Sequence, residues 1–320
     1  MIPITEIVEG IFKIGPLDTH NGVTPWVAPY LVVGDDKAAI VEPGEGGQAD
    51  ELLQAIAGKE EGQLKFDLKR IFYLMPTHIH LHHVHSAARL LKELPNAKVV
   101  AHQRGAPHLV DPVRLNEGTL QVWGLDSGCP QIDPIPENRI IAVAGGEVFD
   151  LGNREIEVIE STGHAPHHVS YFDRRTRTLF PGDAAGAFFD GPGKNRTRPD
   201  ILPPLFDVEK EIDSLHRLRA LRPKMLLVFG HNALSHSPAK TMIQVEKDIR
   251  AVESIVLKGM RKKLSSREIG RQVNEYYDAE GLIRQEQSYE GSEETMAASG
   301  PPFGMVAYLK RKYPDLEIPK

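Results

Sequence analysis

The sequence predicts an α/β fold, and three observations carry that prediction. Apolar runs of strand length alternate with segments of helical spacing; the second half of the chain restarts the plan of the first; and four of the apolar runs lead directly into a histidine or aspartate. A sheet whose strand ends share an edge brings such turns to one place.

Taken in order, residues 11–14 and 30–41 read as strands, the second run folded into a hairpin by Gly34-Asp35-Asp36-Lys37 and closed by Glu42-Pro43-Gly44. Leu52, Leu53, Ile56 and Ala57 have helical spacing, and a strand is expected over residues 68–75. A helix over 86–94, through Ala87, Leu90, Leu91 and Leu94, ends at Pro95-Asn96 before a strand at 97–101. Residues 102–108 and the Gly/Pro-rich run at about 124–136 read as connections, with a short helix between 111 and 125. Strands resume at 140–143, 148–151 and 156–160, then at 178–180 and 225–229, and residues 184–206 read as a Gly/Pro-rich loop. From Pro238 onward Met242, Val245, Ile249, Val252 and Val256 recur at three and four. Ser265-Ser266-Arg267-Glu268 forms a capping box before Ile269, Val273 and Tyr276, and a last helix is expected over about 294–312. The division expected is a catalytic domain over 1–237 and a helical accessory region over 238–320 that caps the site, packs on the core or makes a homodimer.

Composition narrows the function. The 320 residues are 41% hydrophobic and 26% charged with a net charge of −6, an ordinary globular balance that offers no electrostatic attraction to nucleic acid or an anionic membrane. A small-molecule substrate suits it better. The single cysteine, Cys129, excludes an intrachain disulfide framework, and no apolar run approaches the ~18 residues of a membrane helix. With no signal-peptide pattern at the start, the expected location is cytoplasmic.

The chemistry concentrates in Pro76-Thr77-His78-Ile79-His80-Leu81-His82-His83-Val84-His85, where five of the 14 histidines fall within eight residues at the end of a strand. Neutral imidazoles are common ligands for zinc and other first-row metals, and closely spaced ones can converge on one ion. The bland alternative is a solvated histidine-rich turn. Three further pieces follow apolar strands: Gly163-His164, Gly182-Asp183 and Gly230-His231. Alone, Asp183 would read as a turn or capping aspartate and His231 as a core histidine.

Together, the ordered set THxHxxH, GH, GD and GH resembles the metallo-β-lactamase fold superfamily over roughly residues 5–237, and most nearly its glyoxalase II-like and lactonase-like branch. The run from His102 to Pro112 looks like a feature of that branch. The resemblance implies an αββα sandwich with a two-metal centre. One metal is held by His78, His80 and His164, a second by His83 and His231, and Asp183 bridges them. It implies two divalent ions, zinc first, with iron or manganese as alternatives.

One position departs from the family pattern THxHxDH. His82 stands where that pattern has an aspartate that binds the second metal and orients the hydroxide. An imidazole bound through one nitrogen keeps only an N–H donor on the other and leaves the centre one charge more positive. Three readings stay open: His82 replaces the aspartate as ligand, which is the expectation adopted; it turns away beside a weak or empty second site; or the site has lost hydrolysis. His82 and Asp183 are therefore the residues on which catalysis is expected to turn. Substrate-pocket candidates are His102, His108, His168, Phe188 and Phe189, with His167 or His168 alternatively supporting His164. His85 is expected at a helix start, His236 in a structural role and Cys129 as an inert thiol.

The activity expected is metal-assisted hydrolysis, hydroxide held between the metals attacking an ester, thioester or lactone carbonyl. An iron-dependent oxidoreductase on the same fold and a non-catalytic metal-binding or interaction protein are the alternatives.

Overall fold

The computed structural model describes residues 2–15, 27–58, 64–123, 131–189, 196–202, 204–229, 234–279 and 301–317. Seven strands, β1 (Ile4–Val8), β2 (Ile11–Ile14), β3 (Tyr30–Val33), β4 (Ala38–Val41), β5 (Ile71–Met75), β6 (Lys98–His102) and β7 (Ile140–Val143), form the first sheet in chain order. The β1 to β4 meander is antiparallel, and β4 through β7 run parallel. Parallel neighbours need crossovers, and the helical segments lie in those connections. They are α1 (Ala49–Ala57), the single turn α2 (Leu81–Val84), α3 (Ala87–Glu93), α4 (Ala106–Val110) and α5 (Val113–Trp123).

The second sheet repeats the scheme. Strands β8 (Val148–Asp150), β9 (Glu155–Glu160), β10 (Val169–Asp173) and β11 (Thr178–Phe189) form an antiparallel meander, β12 (Arg196–Arg198) pairs with the far end of β11, and β13 (Met225–Phe229) runs parallel to β11 with β14 (Leu234–Ser235) at the edge. The helices of this half are α6 (Val208–Ala220), α7 (Pro238–Arg261), α8 (Ser266–Ala279) and α9 (Pro301–Lys312).

Three buried apolar layers give the architecture. Strand β4 is buried along its whole length because its side chains alternate between two of them: Ala38 and Ile40 join α1 and α3 residues on the outer face, whereas Ala39 and Val41 meet Phe149, Val158, Tyr171 and Phe180 of the second sheet. The third layer lies outside the second sheet, where α6 to α9 pack on Leu179, Ala184 and Ala185 of β11. The order is helix, sheet, sheet, helix, which meets the αββα expectation. The apolar stripe of α7, Met242, Val245, Ile249, Val252 and Val256, is fully buried in that third layer. Among the described residues no helix is long and apolar enough to cross a membrane.

The structure corrects several local expectations. Residues 68–70 are a 3-10 turn closed by the Asp67 side chain, so the strand starts at Ile71. β1, β10, α4 and α6 have no counterpart in the sequence reading. The largest change is at 178–189: Asp183 sits inside one long strand rather than on a loop after a short one, and residues 184–189 continue that strand. Register shifts against β13 on both sides of Gly182, with Gly182 at φ +54, let the chain bulge and resume pairing. The onset of the last helix expected at 294 lies outside the described residues.

Candidate metal centre

The first-sheet half of the site is built on Glu42 and Thr77. Glu42 ends β4 in the left-handed region, at φ +55, and its buried carboxylate turns under the end of β5. Thr77 Oγ1 donates to Glu42 Oε1 at 2.6 Å. That hydroxyl has one proton, so at 3.1 Å it accepts from His78 Nδ1, which fixes the His78 proton there and turns the Nε2 lone pair inward. His83 Nδ1 donates to Glu42 Oε2 at 2.9 Å and likewise points Nε2 at the centre. One carboxylate thus orients two histidines, one directly and one through a threonine.

The second-sheet half uses other means. His164 follows β9; its backbone N–H donates to Glu211 Oε2 at 2.6 Å and its Nδ1 to the Asp200 carbonyl at 2.9 Å, leaving Nε2 for the centre. The Asp183 backbone N–H donates to His168 Nε2 at 3.2 Å. His168 Nδ1 then donates to Ser161 Oγ at 2.9 Å, Ser161 to Ser170 Oγ at 2.8 Å, and Ser170 to the Pro181 carbonyl at 3.1 Å. Every proton in this chain is assigned, because an amide can only donate at one end and a carbonyl can only accept at the other. A Cβ on Gly182 would lie 2.4 Å from Thr77 Oγ1 and 2.7 Å from His168 Nε2, so only glycine lets the two halves close.

The halves meet at Asp183. His80 Nδ1 lies 2.8 Å from His78 Nε2 and 3.0 Å from His164 Nε2, while Asp183 Oδ2 is 3.3 Å from His164 Nε2 and 3.8 Å from His78 Nε2. Donor atoms around one tetrahedral zinc sit about 3.3 Å apart, so these four could hold an ion with small adjustments. The other oxygen, Oδ1, is 3.4 Å from His83 Nε2. Two sets of ligand atoms each lie within 4.8 Å of one another: His78, His80, His164 and Asp183, and His82, His83 and Asp183. Both Asp183 oxygens are buried, with His83 Nε2 facing Oδ1 at 3.4 Å and the Asp200 carboxyl, raised well above its ordinary value by burial and by the Asp183 charge, beside the same group. Inward lone pairs around a buried carboxylate are a donor set for a cation.

The site is electrostatically divided. Burial, together with neighbouring imidazoles, pushes His78, His80 and His168 well below the ordinary histidine value, and burial takes His82 and His167 down to about 3. Burial also acts to lower His83, but the Glu42 and Asp183 carboxylates outweigh it and lift His83 to about 10. Burial works against the Asp183 charge as well; His83 and His164 override it and hold this carboxyl well below the usual range.

His78, His80, His83, His164 and Asp183 are thus brought together, and half-buried His82 joins His83 and Asp183. His231 and Cys129 lie outside the described residues, as does the Phe189 side chain. The pocket expectation for His168 gives way: it is fully buried behind Asp183 with both ring nitrogens engaged. His102 is also buried, its Nδ1 accepting from the Arg104 amide at 3.1 Å. His108 and His167 are half-buried, and Phe188 packs on the α6 to α9 layer. His85 sits against the segment containing Gln131 and Asp133, and His236 is exposed.

Sequence reasoning missed Glu42, Asp200 and Glu211. Glu211 left a signal: it falls at i+3 from Val208, directly before Ile212 and four before Leu215, a carboxylate on the apolar stripe of α6. Glu42, an acid ending a wholly apolar strand, left a weaker one.

A helix–sheet–sheet–helix sandwich with a histidine and carboxylate centre at the junction of its sheets defines a class of metal-binding α/β proteins. Within it, the chain belongs to the metallo-beta-lactamase superfamily, whose family model matches residues 27–231. The chain is 31% identical over 209 residues to the metallo-beta-lactamase fold-containing protein ST1585 of Sulfurisphaera tokodaii, covering 60% of this chain and 76% of that one. The solved structure of ST1585 superposes with a TM-score of 0.60 at 27% identity, covering 74% of this chain and 85% of that chain. A hydroxyacylglutathione hydrolase of Prochlorococcus marinus is 23% identical over 283 residues, 85% of this chain and 91% of that protein. A coenzyme F420H(2) oxidase of Methanothermobacter marburgensis is 24% identical over 247 residues, 68% of this chain and 56% of that protein. Hydrolases and oxidases therefore both stand among its relatives.

Proposed function

We propose that the protein is a metal-dependent hydrolase acting on the carbonyl of a small ester, thioester or lactone. The observation that carries the reading is the sharing of Asp183, whose two oxygens face two different sets of histidines. Two divalent ions bound there, zinc first, would supply a water acidic enough to act as a nucleophile near neutral pH and a Lewis acid for the carbonyl oxygen. His78, His80 and His164 would hold the first position with Asp183, and His82 and His83 the second, with His231 as a further ligand from the expected pattern. Glu42, Thr77 and Asp200 keep the ring protons outward, so the nitrogens facing the centre stay available. His82, neutral by burial, contributes a nitrogen and no negative charge.

The test begins with the metal content of protein purified without added metal or chelator, followed by turnover on a panel of thioesters and lactones before and after chelation. Hydrolysis lost on chelation and restored by zinc supports the reading; no turnover at full metal loading sinks it. In His82→Ala the metal content should fall by about one ion per chain with the first position still filled. An unchanged content would take His82 out of the ligand set.

A nitrogen-rich second position, together with the kinship to the oxidase named above, favours one second reading, an iron-dependent oxidoreductase. A coloured, iron-containing preparation that consumes oxygen would select it over hydrolysis.

A further inference from the structure

Two of the groups that fix His164 belong to one short stretch of chain. Asp200 supplies the carbonyl that holds the ring, and Glu211 the carboxyl that holds the backbone N–H. Between them, the Asp207 backbone N–H donates to the Gly163 carbonyl at 2.9 Å, one residue before the histidine. The 200–211 stretch therefore determines where His164 Nε2 points.

The other side of that stretch is held by the last helix, α9. Arg311 donates through Nη1 to the Pro204 carbonyl and through Nη2 to the Phe206 carbonyl. Tyr308 and Lys312 both bond the carboxylate of Glu209, in the first turn of α6. Gly304 lies so flat on the chain that a Cβ there would sit 2.5 Å from the Ile201 carbonyl oxygen and 2.8 Å from its carbon. Both are backbone atoms, with no rotamer to yield. Met305 and Leu309 are fully buried in the same layer.

We propose that α9 is a clamp on the metal centre: by pressing the 200–211 stretch against His164, it sets how tightly the position formed by His78, His80, His164 and Asp183 holds its metal. Arg311 and Gly304 are its positioning residues, though neither touches a ligand. The inference rests on the proposed metal-binding reading and deepens it, since it makes the C-terminal helix a determinant of metal affinity.

Arg139 supplies an internal control. It also pins backbone carbonyls, those of Ala97 and Leu94 at 2.8 Å each, but in the first sheet's outer layer, away from the groups that bond His164. Zinc affinity is measured on the full chain by competition with a chromophoric chelator, beside the urea midpoint of each variant. Arg311→Ala should weaken the position containing His164 about tenfold or more, the range seen when the support of a metal ligand is lost. Arg139→Ala should lower the urea midpoint with less than about a twofold change in affinity.

Gly304→Ala separates the clamp from plain helix stability. Alanine favours a helix interior over glycine, so a purely local effect raises or keeps stability and leaves zinc binding alone, whereas a displaced 200–211 stretch weakens zinc binding regardless. If Arg311→Ala does not fold, Arg311→Lys keeps the charge and offers fewer donors, and should give an intermediate loss. Unchanged affinity in both Arg311→Lys and Gly304→Ala overturns the clamp, as does an equal loss in Arg139→Ala. Wild-type protein that fails to bind zinc at all refutes the metal-binding reading itself, which keeps the two failures apart.

Discussion

The two halves of the candidate metal centre solve one problem with different physics. On the first sheet, four histidines lie within six residues, and charge orients two of them: the Glu42 carboxylate takes His83 on one oxygen and, on the other, the Thr77 hydroxyl that fixes His78. On the second sheet, His164 and Asp183 are 19 positions apart and are held by carbonyls, an amide and a chain of neutral hydrogen bonds through His168, Ser161 and Ser170. A charge-held half depends on one group, whereas a half held by backbone depends on the placing of whole segments.

Asp183→Ala should break both halves at once, because it removes the carboxylate common to the two ligand sets. Elemental analysis should find metal lost from both positions and turnover should become undetectable; either position retained at wild-type affinity would contradict the shared role.

Acid should act next most strongly on the metal-free protein. His78, His80, His82, His164, His167 and His168 all have proton affinities lowered by burial, so the unfolded chain takes up protons below about pH 6.5 that the folded chain refuses. Stability should therefore fall as pH drops from about 6.5, by about 1.4 kcal/mol per pH unit for each such proton. His83, lifted to about 10, acts the other way: its contribution is complete below about 6.5 and fades as pH rises through about 10. Urea midpoints in chelator at pH values between 7.5 and 5.5 test the steep side, and a flat profile down to the carboxylate range would defeat it.

Smaller changes sharpen the contrast. Glu42→Gln keeps the shape but removes the charge and one of two acceptors, and should weaken zinc binding about 10- to 100-fold in chelator competition. Glu211→Gln should do far less, within about threefold. Burial already pushes the Glu211 carboxyl well above its ordinary value, which favours the neutral acid, and glutamine keeps an acceptor for the His164 amide. Equal losses in the two variants would erase the distinction between the halves.

The same contrast explains what the sequence could show. His78, His80 and His83 are legible because their spacing within one turn forces them together whatever the rest of the chain does. The hairpin at 34–37, α1, α3 and the α7 stripe follow from local periodicity and turn residues in the same way. What holds those histidines was not legible, because Glu42 reaches Thr77 across 35 positions and Glu211 reaches His164 across 47. Asp183 was read as a ligand, but its place within β11 depends on pairing with β10 and β13, which no local window contains. His168 misled for a related reason: a polar residue beside a ligand suggests a pocket, and only the Ser161 and Ser170 partners reveal a buried support.

The burial of the candidate ligands also bears on how a metal would enter and leave. His78, His83, His164 and Asp183 are at most 2% exposed, and Asp183 stands within a paired strand, so these four form the floor of the site. Among the described candidate ligands only His80, at the N-cap of α2, and His82, within its single turn, reach solvent. If these residues hold a metal, the rate at which a chelator strips the protein measures how often His80 and His82, its solvent-facing candidate ligands among the described residues, let go.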